Sequence, residues 1–263
     1  MVKSATMTLG AAAIALSNIG WALPQTQEEA FAALQQSDRL LSAQPANAAL
    51  YVERGDLYYQ LNDLQRAVAD YTVALKLDDR QDAAYLGRGL AYGRLGLVDE
   101  GVADLSVYIT RHPKDSVAYT KRGVRNIWRG NLVEAERDLT RAVELDPNNA
   151  EAHDDLGVVH AKQQRIREAA QHFSAAIKID PTYQKAYHNL AITFHVSGKH
   201  QAALEIVEAG LMLSPDHRGS LLLKAAILQA LGRSAEAKGV AEHAEFLPED
   251  HWSERSTVSG TSK

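Results

Sequence analysis

The stretch ELDPNNAEAHDDLGVVHA, Glu144 to Ala161, brings His153, Asp154, Asp155 and His160 close together in the chain. Imidazoles and carboxylates so near one another are the groups that hold a borderline metal ion or exchange protons near neutral pH. His153 and His160 are seven residues apart, so on one helix their backbones are separated by a rise of about 10 Å. Two nitrogens sharing a zinc ion must each approach it to about 2.1 Å. The two histidines alone cannot close a metal site; a third element would have to bend in. A structural role is therefore expected for them, with no metal and no cofactor, and His188 and His195 repeat the spacing with the same outcome. No His-Glu-x-x-His, Gly-x-Ser-x-Gly or phosphate-binding glycine loop occurs, and there is no cysteine, hence no thiolate zinc site, disulfide or cysteine nucleophile.

The elements that carry these residues are set by a period. Pro45, Pro113, Pro147, Pro181 and Pro215 lie on one series of step 34, with Asp79 at the missing position. Gly55, Gly89, Gly123, Gly157, Ala191 and Ala225 keep the same step. So do Tyr51, Tyr85, Tyr119, His153, Tyr187 and Leu221, and so do Tyr71, Leu105, Leu139, Phe173, Val207 and Ala241. A fixed period in this range marks stacked supersecondary units. Within a unit, small or apolar residues recur at helical spacing, as at Tyr85, Gly89 and Tyr92. A breaker such as Leu95-Gly96-Leu97 separates two such runs, and the proline turn closes the unit. Six units are predicted at 48–81, 82–115, 116–149, 150–183, 184–217 and 218–251. His153 and His160 then fall in aromatic columns that face neighbouring helices.

These columns resemble the tetratricopeptide repeat (TPR) family, the fourth unit matching at Leu156-Gly157, Ala169, Phe173, Ala176 and Pro181. The resemblance implies an all-α fold, a right-handed solenoid of about six helix-turn-helix units whose first helices line a concave groove. Tyr108 departs from a column otherwise held by Ala74, Ala142, Ala176, Gly210 and Ala244, which predicts looser packing of the second unit on the third. Before the array, Thr26 and Glu29 are spaced as a capping box. They predict a helix to about Leu41, within an N-terminal cap of 23–47 that shields the first unit.

Arg54, Arg88 and Arg122 precede the glycine column in the first three units, and Asp70, Asp104 and Asp138 share a column on the second helix. In the last three units both columns change together, to Leu156 with His172, Leu190 with Ile206, and Lys224 with Val240. Charges that appear and vanish in step are predicted to be partners, forming a structural ladder. Whether each aspartate pairs within its unit or with the next unit is left open by the sequence.

One residue along from the packing columns, each first helix presents another face. Its candidate binding residues are Tyr59, Leu86, Leu90, Val124, Ile127, Asp154, Val158, His188, Ile192 and His195. The family resemblance implies that this face is the groove where a peptide or helix binds. An exposed apolar strip marks an interaction surface, with Thr120, Asp154 and His188 as a mixed polar patch beside Lys121, Asp155 and Asn189. The lysine–asparagine clamp by which chaperone-binding members of the family hold a carboxylate is absent, since the equivalent face carries Val52, Asp56 and Leu86.

Composition bounds the rest. The chain has 263 residues, 46% hydrophobic and 23% charged, with a net charge of −5, an ordinary globular balance that argues against a nucleic-acid partner. Residues 1–22 have a positive start at Lys3, a short apolar core and small residues at Gly20 and Ala22, the pattern of a cleaved secretory signal. The mature chain is expected to begin near Leu23, in a periplasmic or secreted location, with no stable membrane span. A membrane anchor made of the uncleaved segment, or a cytoplasmic location, is the alternative. The tail at 252–263 is polar and rich in Ser and Thr. The expectation is a non-catalytic module binding a protein or peptide. Self-assembly into a homo-oligomer and a role as accessory subunit of an envelope enzyme complex are the alternatives.

Overall fold

The structure is a computed structural model that describes residues 26–248; the expected signal of 1–22 and the tail of 252–263 lie outside the described residues. Among the described residues there are thirteen α-helices and no strand. Helix α1 (Gln27–Ala43) precedes six hairpins. The first three hairpins are α2 (Ala48–Gln60) with α3 (Leu64–Leu77), α4 (Asp82–Arg94) with α5 (Val98–Arg111), and α6 (Ser116–Trp128) with α7 (Leu132–Leu145). The fourth is α8 (Ala150–Lys162) with α9 (Ile166–Ile179), and the fifth is α10 (Gln184–Val196) with α11 (His200–Leu213). The sixth is α12 (Arg218–Ala230) with α13 (Ser234–Glu245). The chain divides into two compact bodies at Pro113 and Lys114, directly after the helix that carries Tyr108. The first body holds α1 to α5 and the second α6 to α13.

Local chemistry explains where the helices start and turn. The Thr26 hydroxyl accepts from the Glu29 amide while the Glu29 carboxylate accepts from the Thr26 amide, a complete capping box for α1. Asn47, Asp115 and Asn149 cap α2, α6 and α8 by accepting from backbone amides. Inside every hairpin the turn passes through one left-handed residue: Asn62, Gly96, Gly130, Gln164, Gly198 and Gly232, with φ between 61° and 79°. Glycine has no β-carbon to clash there, which is why four of the six positions use it.

The hairpins close on the small-residue column. A β-carbon on Gly55 would lie 2.8 Å from the Tyr71 ring, and one on Gly157 2.6 Å from Phe173. Gly89 meets Leu105 and Gly123 meets Leu139 in the same way. In both bodies the glycine therefore lets one helix lie against the large side chain sixteen residues on. Tyr71, Leu105, Leu139 and Phe173 are buried as a result.

Candidate functional site

The ladder is built within hairpins. Arg54 donates from Nε and Nη2 to the two carboxylate oxygens of Asp70 at 2.7 and 2.8 Å. Arg88 does the same to Asp104 at 2.7 and 2.9 Å, and Arg122 to Asp138 at 2.8 and 2.6 Å. Each is a two-pronged pair of planar groups, and all three carboxylates are buried. The hydrogen bonds that Arg54 donates to Asp70 hold its guanidinium above its ordinary range. The remaining prong reaches the preceding helix, where Arg54 Nη1 donates to Asp38 of α1 at 2.6 Å and Arg88 Nη1 to Thr72 of α3 at 3.1 Å. Asp38 and Thr72 are one period apart, so α1 packs in the phase of a second helix and completes the first rung.

The predicted binding face is closed over much of its length. Leu86, Leu90 and Val124 are buried, so these three do not form the open apolar strip that the sequence suggested, and Asp154 of the mixed polar patch is buried as well. Leu86 and Leu90 are covered because they pack with Leu105, Tyr59 and Tyr108 in the core of the first body. Tyr59, Ile127, Val158, His188 and His195 are half-buried. Solvent reaches the face chiefly on α10 and α12, where Ile192 is 38% and Leu222 40% exposed, with Val196 at 65% beside them.

The mixed polar patch is bonded largely within the protein, though Asp155 Oδ2 is buried without a hydrogen-bond partner. Lys121 Nζ donates to both oxygens of Glu151 at 2.7 and 3.0 Å. Asp154 accepts from Asn189 Nδ2 at 2.9 Å and pairs with Lys185 Nζ at 2.9 Å, which also holds Asp155 at 3.0 Å. His188 Nδ1 lies 3.0 Å from the Ser220 hydroxyl. These bonds tie α6 to α8, α8 to α10 and α10 to α12, so the patch joins hairpins instead of presenting bare groups to a ligand. Burial pushes the Asp155 carboxyl up to about 7, against the pull of Lys185.

Hairpin four adds a third histidine to the two that the sequence singles out. The third element does bend in: His172 of α9 stands where hairpins one to three carry an aspartate. His153 Nδ1 lies 3.1 Å from His172 Nδ1, and the His160 ring meets His172 edge-on at 5.0 Å between centroids. Desolvation, then the neighbouring His160, His153 and Arg165, lowers the His172 imidazole to about 4; desolvation also lowers His153 and His160. His172 was absent from the predicted site. Its signal lay in the ladder itself, because the aspartate column faces both the arginine sixteen residues back and the tyrosine nineteen back, here Leu156 and His153.

Known proteins fit this architecture. Tetratricopeptide-repeat family models match residues 55–96, 83–115, 129–183 and 172–205. No curated protein matches the chain in sequence. Among solved structures, the chain is 26% identical to YrrB, described as a TPR protein with an unusual peptide-binding site. That match covers 72% of this chain and 97% of YrrB, with a TM-score of 0.58. A tetratricopeptide repeat protein from Parabacteroides merdae is 21% identical over 85% of this chain and 89% of its own, with a TM-score of 0.70. MamA is 23% identical over 64% of this chain and 92% of its own, with a TM-score of 0.57. With the 34-residue hairpins and the matches across 55–115 and 129–205, the chain belongs to the tetratricopeptide repeat family and has its all-α solenoid fold.

Proposed function

We propose that this chain is a non-catalytic scaffold that binds a partner protein or peptide on the first-helix face of α10 and α12. The observation that carries the reading is the exposed apolar surface of Ile192, Val196 and Leu222, flanked by His188 and His195 on a rigid stack of hairpins. Apolar side chains grouped on an open face lose free energy when a partner covers them, about 1.5–3 kcal/mol for each one fully buried. The likeness to YrrB supports a peptide as the occupant. Peptides selected on the parent protein are expected to bind Ile192→Asp/Leu222→Asp at least about tenfold more weakly, since a buried unpaired charge opposes the contact. Equal binding by both proteins would remove the face from consideration. Both positions are open to solvent, so the fold tolerates the change, unlike Leu90 or Val124.

Self-association is a second reading, favoured by Met212 and Phe246, which are 85% and 88% exposed on the last two hairpins. Light scattering over a concentration series distinguishes it from a monomeric scaffold. Export to the cell envelope is part of the proposal and rests on residues 1–22. No helix among the described residues is long and apolar enough to cross a membrane. N-terminal sequencing of protein recovered from the envelope fraction is expected to begin near Leu23, and an intact Met1 would overturn export by cleavage.

A further inference from the structure

We propose that His153 and His172 form a binding site for a borderline divalent metal ion, of the class of Zn2+, Ni2+ and Cu2+, which clips the two helices of hairpin four together. Their Nδ1 atoms are 3.1 Å apart. Two nitrogens bound at 2.0–2.1 Å to one tetrahedral zinc lie about 3.3–3.4 Å apart, so the pair already spans nearly one edge of the coordination shell. Imidazole nitrogen is the donor that suits this class of ion, as oxygen suits Mg2+ and Ca2+.

The contacts of His153 prepare it for this role. Its Nε2 lies 3.3 Å from the Pro147 carbonyl oxygen, which can only accept, so Nε2 carries the hydrogen and Nδ1 the lone pair. A ring nitrogen held by a backbone carbonyl is the usual outer support of a metal-bound histidine. In the metal-free protein His172 Nδ1 then donates its hydrogen to His153 Nδ1. On metal entry His172 takes the other neutral tautomer, with its hydrogen on Nε2, and both Nδ1 lone pairs face the ion. Burial keeps both rings uncharged at neutral pH.

The surroundings tolerate the ion. Glu136 pairs with Arg165 at 2.7 Å and lies 3.6 Å from His160, so the nearest arginine is neutralised, and Glu168 adds a negative charge to His160. His160 Nδ1 is buried without a hydrogen-bond partner. Among the described residues no three His, Asp or Glu side chains stand ready as a complete metal site. The proposed site is therefore a two-histidine edge, with water completing the shell. His195 and His200 also place their Nδ1 atoms 3.1 Å apart. They span a turn, and among the described residues neither has a backbone carbonyl on its second nitrogen, which makes them the internal control.

The test is calorimetric titration of the full chain, without a histidine tag, with ZnCl2 at pH 7.5, and with MgCl2 for comparison. One zinc per chain is expected, with no Mg2+ binding and a melting temperature that rises with zinc concentration. His153→Gln and His172→Gln should each weaken zinc at least about tenfold, while His195→Gln/His200→Gln binds as the parent does. Absence of zinc binding by the parent overturns the site, as does a loss that follows His195 and His200 instead. Metal-free melting of each variant reports whether it folds, and should His172→Gln not fold, the half-exposed His153→Gln decides the matter.

Discussion

Hairpins three and four have the same backbone plan and place different chemistry at its centre. In hairpin three Arg122 and Asp138 form a two-pronged ion pair across the helices. In hairpin four the same columns hold Leu156 and His172, and His172 turns to His153. The first arrangement joins a guanidinium and a carboxylate as a two-pronged pair of planar groups. The second joins two imidazoles that burial holds below their ordinary range. One fold position can thus hold an ion-pair brace or a pair of histidines, and the difference lies in whether its column carries an aspartate with an arginine sixteen residues back or a histidine.

The comparison breaks first if the brace carries no energy. Arg88→Ala leaves the buried carboxylate of Asp104 without its partner, and is expected to cost about 3 kcal/mol, read from denaturant unfolding of the full chain. Melting like the parent would end the idea of a ladder. Arg88→Leu/Asp104→Ile, the pair found naturally as Leu190 and Ile206 in hairpin five, should recover most of the loss, because apolar side chains of similar size can replace a buried ion pair at little net cost.

Asp56 sharpens the contrast inside the first body, where it lies near the braced Asp70 but has no arginine. It accepts from the Tyr71 hydroxyl at 2.6 Å, and desolvation raises its carboxyl to about 7. A folded-state pKa above the unfolded value means that stability is full below about pH 4 and is lost as pH rises through about 7. Asp56→Asn is therefore expected to stabilise the protein at pH 8 by about 2–3 kcal/mol and to have little effect at pH 4. A gain of equal size at both values would show that ionisation is not the cause.

His172 has the opposite slope. Its folded pKa near 4 lies below the unfolded 6.5, so the unfolded chain binds the proton first and stability falls as pH drops from about 6.5 toward 4. The side chain is only partly buried, so screening reduces the effect to about 1–2 kcal/mol. Between pH 7 and pH 4.5 the parent should lose that much more stability than His172→Gln. Parallel curves for the two proteins would separate the cluster from the acid response.

Much of this was legible in the chain. The prolines on one step, the recurring glycines and the capping box at Thr26 gave the hairpins and their phase, because helix spacing and turn chemistry are local. The joint appearance of Arg88 with Asp104 and their joint loss at Leu190 with Ile206 marked partners. The binding face was harder to read. Leu86 and Leu90 have the alternation of an open strip, yet Tyr59, Leu105 and Tyr108 cover them, and no sequence spacing reports the thickness of a neighbour.

The sequence by itself determined a repeated pair of helices, the side of each helix that meets its partner, and which charges belong together, since all of these follow from residues at fixed separations along a regular coil. Only the tertiary structure decided that each arginine takes the aspartate of its own hairpin, that α10 and α12 keep the open face, and that His172 stands against His153. Those outcomes depend on how closely neighbouring helices approach. That distance is set by the summed volumes of side chains from different elements, which no single segment encodes.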